Sequence, residues 1–142
     1  MKPLLSCVLL ALAAALAACD GPKHAECDAL MGVINTGLDQ IETSQQQLKN
    51  NPDRTVELRA MADALEKLAI DAGAVTLETP ELRELSGRYQ KMAKEAAVHA
   101  RALADAEKEK KLEDVKKAKT ALNDTFKLED PIVSDLNKTC AR

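Results

Sequence analysis

Residues 82–106 read LRELSGRYQKMAKEAAVHARALADA, and their pattern is the strongest indication of the fold class. Its apolar positions recur at intervals of three and four residues, which is the spacing of one face of an α-helix and not that of a strand. The stretch therefore predicts a long amphipathic helix with a stripe that faces a core. The stripe consists of Leu82, Leu85, Tyr89, Met92, Ala96, His99, Leu103 and Ala106.

Three further stripes with this spacing accompany the first, so the chain is expected to form four helices. Residues that end or begin helices separate them, among them Pro52 and the pair Thr79-Pro80. The other stripes are Cys27, Met31, Ile34, Leu38, Ile41 and Leu48 with Gln45 filling one step; Leu58, Met61, Leu65, Leu68, Ala72 and Val75; and Leu112, Val115, Lys119, Leu122 and Phe126, continued by Val133, Leu136 and Cys140.

The joint between the third and fourth stripes contains neither Gly nor Pro. Residues 107–111 read EKEKK, and the apolar stripe changes phase across them, which favours a turn. The alternative is one helix from residue 80 to residue 127, which would give three helices. Asp130-Pro131 interrupts the last segment and predicts a kink or a short terminal helix with Asp130 as its cap.

The composition also favours an all-α, antiparallel four-helix bundle. The 142 residues suffice for one domain, and Tyr89 and Phe126 are the only aromatic residues. A core of Leu, Ala, Val, Ile and Met suits helix-on-helix packing. The formal net charge is −3, and removal of residues 1–18, whose only charged residue is Lys2, leaves −4. We expect no binding to nucleic acid, because phosphate contacts with basic residues supply most of that affinity.

The first nineteen residues carry an export pattern. Lys2 provides a positive charge, and the apolar run that follows is shorter than the roughly 20 residues of a membrane-spanning helix. Leu16-Ala17-Ala18-Cys19 ends this run and resembles the lipobox of bacterial lipoproteins, in which the cysteine is acylated and the chain is cut before it. The resemblance implies a signal peptide at 1–18, a lipid on Cys19 and a place in the cell envelope, facing the periplasm or the exterior. An ordinary secretory signal or an uncleaved anchor is the alternative.

The remaining cysteines predict a disulfide. Residues 19–23 would form the lipidated cysteine and a tether, and 24–142 the bundle, which contains Cys27 and Cys140 near its two ends. An even pair in an oxidising compartment favours a bond. Four antiparallel helices bring both ends of the domain together, whereas three would separate them. Two free thiols or a metal pair is the alternative, although a structural zinc site requires four ligands.

His99 is the candidate ligand for a metal or haem, because it occupies a stripe position in a predicted bundle. Met31, Met61 and Met92 occupy others, and helical bundles bind cofactors through inward-facing His and Met. The alternative is a partly buried His99 bonded to Glu95, with the methionines as core residues. Because the chain lacks a Cys-x-x-Cys-His motif and has few aromatic residues, we expect no cofactor.

No arrangement typical of catalysis is present. Ser44, Ser86 and Ser134 lie in helical segments without flanking glycines, and charged residues alternate as they do on solvated helix faces. We therefore expect a lipid-anchored envelope protein, similar to small helical envelope lipoproteins, whose domain is structural or binds a protein partner. The alternative is a bundle that binds haem, a metal or a small apolar ligand through the His99 region.

Overall fold

The structure is a computed structural model that describes residues 21–141. Over this range the chain forms five helices and no strand. The helices are α1 (Pro22–Leu48), α2 (Arg54–Ala74), α3 (Pro80–Lys108), α4 (Leu112–Phe126) and α5 (Glu129–Cys140). Only two residues separate α4 from α5, and the two helices together form the fourth arm of an antiparallel bundle. The predicted all-α four-helix bundle is therefore confirmed. The predicted signal peptide and Cys19 lie outside the described residues.

The helices begin close to the predicted positions. The carboxylate of Asp53 caps α2 by accepting a hydrogen bond from the Thr55 N–H at 3.0 Å. Pro80 is the first residue of α3 and Thr79 precedes it, as predicted, but the Thr79 side chain makes no capping bond. α1 begins at Pro22, so its first turn includes the last two residues assigned to the tether.

The charged segment 107–111 is a turn, and the alternative of one long helix is wrong. α3 ends at Lys108, and Lys110 adopts a left-handed conformation with a φ of 56°. The Lys111 N–H donates to the Ala106 carbonyl at 3.0 Å, and the Lys110 N–H donates to the Glu107 carbonyl at 3.1 Å. These two bonds form a Schellman motif, which satisfies carbonyl groups at the end of α3.

The interruption in the last arm lies earlier than predicted. The kink occupies Lys127 and Leu128, and Asp130 and Pro131 are the second and third residues of α5. Asp130 is therefore not the cap, and that prediction was wrong. Pro131 is tolerated there because the first turn of a helix has no intrahelical partners for its N–H groups.

α3 is the central helix of the bundle. It packs against α2 along its length, and against α4 and α5 on another side. Beside the predicted stripe it buries a second row of small residues, which lets its neighbours approach closely. At one such approach the Ser86 hydroxyl donates to the Ala72 carbonyl at 3.1 Å. The second row consists of Ser86, Ala93, Ala97, Ala100 and Ala104.

The outer helices α1 and α4 depart from the predicted stripes. Leu30, which was not in the first stripe, is fully buried, whereas Leu38 is 36% exposed. In the fourth stripe Leu112 is 81% exposed and Lys119 is exposed. The reason is that α1 packs on α2 and α4 packs on α3, but no Cα atom of α1 lies within 8 Å of a Cα atom of α4. Leu38, Leu112 and Lys119, which were predicted to face one common core, therefore remain at the surface.

The predicted disulfide is present. Cys27 and Cys140 are bonded, with Cα atoms 5.8 Å apart and 113 residues apart along the chain. The bond joins the beginning of α1 to the end of α5, which are therefore at the same end of the bundle. Cys27 is buried and Cys140 is half-buried.

Candidate functional site

A groove lies between α3 and α5, next to the kink that begins α5. Its apolar residues are Met92 on α3 and Leu128, Pro131 and Ile132 around the kink, and its volume is about 190 Å³. Met92 and Ile132 are buried, whereas Leu128 is 48% exposed. A groove of this size and lining can accept one apolar side chain of a partner.

Charged side chains of α3 border this groove. Arg88, Lys91 and Glu95 contribute to its lining, and the Lys91 ammonium lies 3.9 Å from the Glu95 carboxylate. The Arg88 guanidinium donates to the Asp135 carboxylate of α5 at 3.1 Å. This hydrogen bond holds the pKa of Asp135 below its ordinary value. Both signs of charge are thus present beside an apolar floor, which favours a peptide segment over a purely apolar ligand.

A second groove of about 250 Å³ continues from the first and shares Arg88 with it. Its other lining residues are Glu81, Glu84, Leu85, Asp135, Lys138 and Thr139. The Arg88–Asp135 pair contributes to its lining, and Asp135 also lies 3.5 Å from the Lys138 ammonium. The two grooves meet at Arg88 between α3 and α5, and we call them together the α3–α5 groove.

Tyr89 fixes the start of α5 against α3. It is 1% exposed, and its hydroxyl donates to the Glu129 carboxylate at 3.3 Å. Burial, followed by the negative charge of Glu129, raises the pKa of Tyr89 above its ordinary value. The hydroxyl therefore remains a neutral donor at physiological pH and holds Glu129, the first residue of α5.

The residues named for the alternative cofactor site make other contacts in the structure. His99 is half-buried rather than buried, and the proposed partner Glu95 faces Lys91. The thioether of Met61 accepts a hydrogen bond from the Gln45 amide at 3.3 Å, while Met92 forms part of the groove floor. Among residues 21–141, no group of three or more His, Cys, Asp or Glu side chains is arranged to hold a metal ion.

The α3–α5 groove was not predicted from the sequence. Leu128 lay outside every predicted stripe, and Arg88 looked like an ordinary residue of a solvated face. The Asp130-Pro131 interruption was the available signal, because a break in an outer helix leaves a depression against the helix beneath it.

The chain was compared with protein-family models, with curated proteins and with solved structures, and it matches none of them.

Proposed function

We propose that this protein is a lipid-anchored envelope lipoprotein whose helical bundle binds a protein partner through the α3–α5 groove. The lipid anchor is inferred from the sequence Leu16-Ala17-Ala18-Cys19 at the end of an apolar export segment. Acyl chains contribute about 0.8 kcal/mol per buried methylene, so several chains on Cys19 would hold the domain stably at a membrane.

The position of α1 supports this arrangement. Pro22 begins α1 three residues after Cys19, and three extended residues span about 10 Å. The end of the bundle that contains the disulfide would therefore face the membrane. The 27 residues of α1 span about 40 Å, so the turn between α3 and α4 would lie farthest from it. None of the helices described here is long and apolar enough to cross a bilayer.

The α3–α5 groove lies at a height that a partner can reach. Ile132 and Leu128 precede Cys140 by 8 and 12 residues, which corresponds to about 12 and 18 Å along the arm. With the tether added, the apolar part of the groove would be about 20–30 Å from the membrane surface. The expected partner presents an apolar side chain next to charged residues.

Mass spectrometry of the protein purified from a Gram-negative host tests the anchor. We expect a mature chain that begins at Cys19 and carries a diacylglycerol-type mass increment, absent in the variant Cys19→Ser. A mature chain without lipid would overturn the proposal.

Photocrosslinking in cells tests the groove. A photoreactive residue at Leu128 should capture a discrete protein partner, whereas the same residue at Val98 serves as the matched control. Val98 is also an exposed apolar residue, 61% exposed compared with 48% for Leu128, but it lies outside the lining of the groove. Equal capture from both positions, or capture from neither, would contradict the assignment of the groove as the binding surface.

A further inference from the structure

The bundle is open between α1 and α4. α5 meets α1 at the disulfide, but beyond the kink no Cα atom of α4 is within 8 Å of a Cα atom of α1. Neighbouring helices in a closed four-helix bundle have axes about 8–10 Å apart and interdigitate their side chains. The opening between residues 31–48 and residues 112–127, which we call the α1–α4 gap, therefore leaves one flank of each helix without a partner.

The flank of α1 that faces the gap is acidic. Cys27 marks this side, because it bonds to α5, and Met31, Leu38 and Glu42 follow it at helical spacing. Met31 is half-buried and Leu38 is 36% exposed, so apolar surface is left uncovered. Asp39 and Glu42 are exposed, and no Lys or Arg occurs between Lys23 and Lys49.

The flank of α4 that faces the gap is basic. Within α4, Leu112, Lys119 and Phe126 recur every seven residues and form one row, and Phe126 and Val115 beside Lys119 pack against the core. Phe126 is half-buried and Leu112 is 81% exposed. Among the described residues no carboxylate lies within 4 Å of the Lys119 ammonium, and the one ion pair of Lys127 is with its neighbour Asp124.

The opposite charges lie at comparable heights. At 1.5 Å per residue, Asp39 and Glu42 lie about 18 and 22 Å beyond Cys27. On the other arm, Lys127 and Lys119 lie about 20 and 31 Å beyond Cys140. Glu42 is thus between the two lysines in height and Asp39 is about 2 Å below the lower one, but the gap separates the carboxylates from the ammonium groups within one molecule.

A shared membrane restricts how two copies can meet. If both copies are anchored in one membrane, a two-fold axis that relates them must be parallel to the membrane normal, and it is also parallel to the helices if each bundle stands upright on its disulfide end. Rotation about such an axis, with the two gaps facing each other, brings α1 of each copy opposite α4 of the other. The acidic flank of α1 in each copy then meets the basic flank of α4 in the other copy. The two α1 helices and the two α4 helices alternate in direction, as the helices of an antiparallel bundle do.

We infer that the α1–α4 gap is a dimerisation surface, filled by the same surface of a second copy. The dimer places Leu38 and Phe126 of both copies around the axis and pairs Asp39 and Glu42 with Lys119 and Lys127 across it. The choice of axis rests on the proposed lipid anchor, whereas the match of charge and apolar surface does not.

The test uses full-length protein in vesicles of zwitterionic phosphatidylcholine, with donor and acceptor dyes attached at the C termini of separate copies. We expect energy transfer that decreases at high salt, because exposed ion pairs are screened. The variants D39K/E42K and K119E/K127E should each weaken dimerisation by at least about tenfold, because like charges then face each other twice. An equimolar mixture of the two variants should recover the energy transfer of the natural protein, because each altered flank then meets its complement.

The matched control is K94E/K108E, which makes the same change in charge as K119E/K127E on exposed residues of α3 outside both the gap and the α3–α5 groove. It should dimerise as the natural protein does. Equal energy transfer in all variants, no recovery in the mixture, or no energy transfer in the natural protein would each overturn the inference. If mass spectrometry finds no lipid on Cys19, the proposed function fails separately, and the same mixing experiment in solution still tests the charge-matched surface.

Discussion

The α2–α3 pair and the outer helices are built from similar residues but are packed very differently. α3 buries twelve of its 29 residues, whereas α1 buries four of its 27. Across the surface of the α2–α3 pair, Arg59 donates to Asp105 at 2.6 Å, and Arg101 donates to Asp63 at 2.8 Å and to Glu66 at 2.5 Å. Both α1 and α3 have amphipathic patterns, but α3 buries more residues because it is central and has neighbours on several sides.

Removal of the disulfide is expected to have the largest effect, because α1 depends on it for its attachment to the last arm. The bond closes a loop of 113 residues, for which the chain-entropy model gives about 4–5 kcal/mol. C27A/C140A should therefore lower the free energy of unfolding in urea by up to that amount. Reductant should shift the natural protein similarly and leave the variant unchanged. An unchanged midpoint in the variant would mean that packing alone holds α1.

Truncation of leucines tests the difference in packing directly. Leu68 on α2 is 1% exposed, and Leu68→Ala should cost about 2–5 kcal/mol because it leaves a cavity. Leu112 on α4 is 81% exposed, and Leu112→Ala should change the free energy of unfolding by no more than about 0.5 kcal/mol. Urea unfolding of both variants measures the difference, and similar losses would contradict the distinction between the pair and the outer arm.

One glycine lies on the packed side of α1 and another on its exposed side. A Cβ atom at Gly37 would lie 2.4 Å from Cδ1 of Leu68, whereas a Cβ atom at Gly32 would meet nothing within 4 Å. Gly32→Ala should stabilise the protein by about 0.5–1 kcal/mol through helix propensity. Gly37→Ala should destabilise it by about 1 kcal/mol, because crowding of the buried Leu68 exceeds that gain. Thermal unfolding should show shifts of opposite sign.

The turn between α3 and α4 contains one residue, Lys110, in a strained backbone conformation. Lys110 has a φ of 56°, a conformation that glycine adopts without the steric cost of a Cβ atom. Lys110→Gly should raise the free energy of unfolding by about 0.5–1 kcal/mol. Lys108→Gly, placed inside the last turn of α3, should lower it by a similar amount. A loss of stability in both variants would contradict the role assigned to Lys110.

The smallest expected effect concerns the ion pair between α3 and α5. Because the pKa of Asp135 is lower in the folded protein than its ordinary 3.8, the pair with Arg88 stabilises the fold above that pH. This contribution is lost as the pH falls through the folded value. The difference in unfolding free energy between the natural protein and Asp135→Asn should therefore shrink below pH 3.8. Arg88→Gln should remove the same pH dependence, and a pH-independent difference would show that the pair contributes nothing.

The sequence predicted the elements of the fold more accurately than their orientation. Stripe spacing placed α2 and α3, and the phase change at 107–111 located a turn that has no Gly or Pro. The same spacing assigned Leu38 and Leu112 to a core that they do not join, because periodicity identifies an apolar face but not the neighbour that covers it. The α3–α5 groove was not predicted for a related reason: Arg88 and Leu128 are 40 residues apart and acquire a common role only when α5 folds back on α3.

The amino-acid sequence was enough to predict that the chain is helical and that Cys27 is bonded to Cys140, and its residues Leu16-Ala17-Ala18-Cys19 resemble a lipobox. Those properties depend on local spacing, on turn residues and on the number of cysteines, which a linear chain already contains. The packing of the helices against one another determines which apolar stripes are buried, where the α3–α5 groove forms and that α1 and α4 remain apart. Burial is a property of pairs of helices: the kink at Lys127 and Leu128 lets α5 reach α1 while α4 does not.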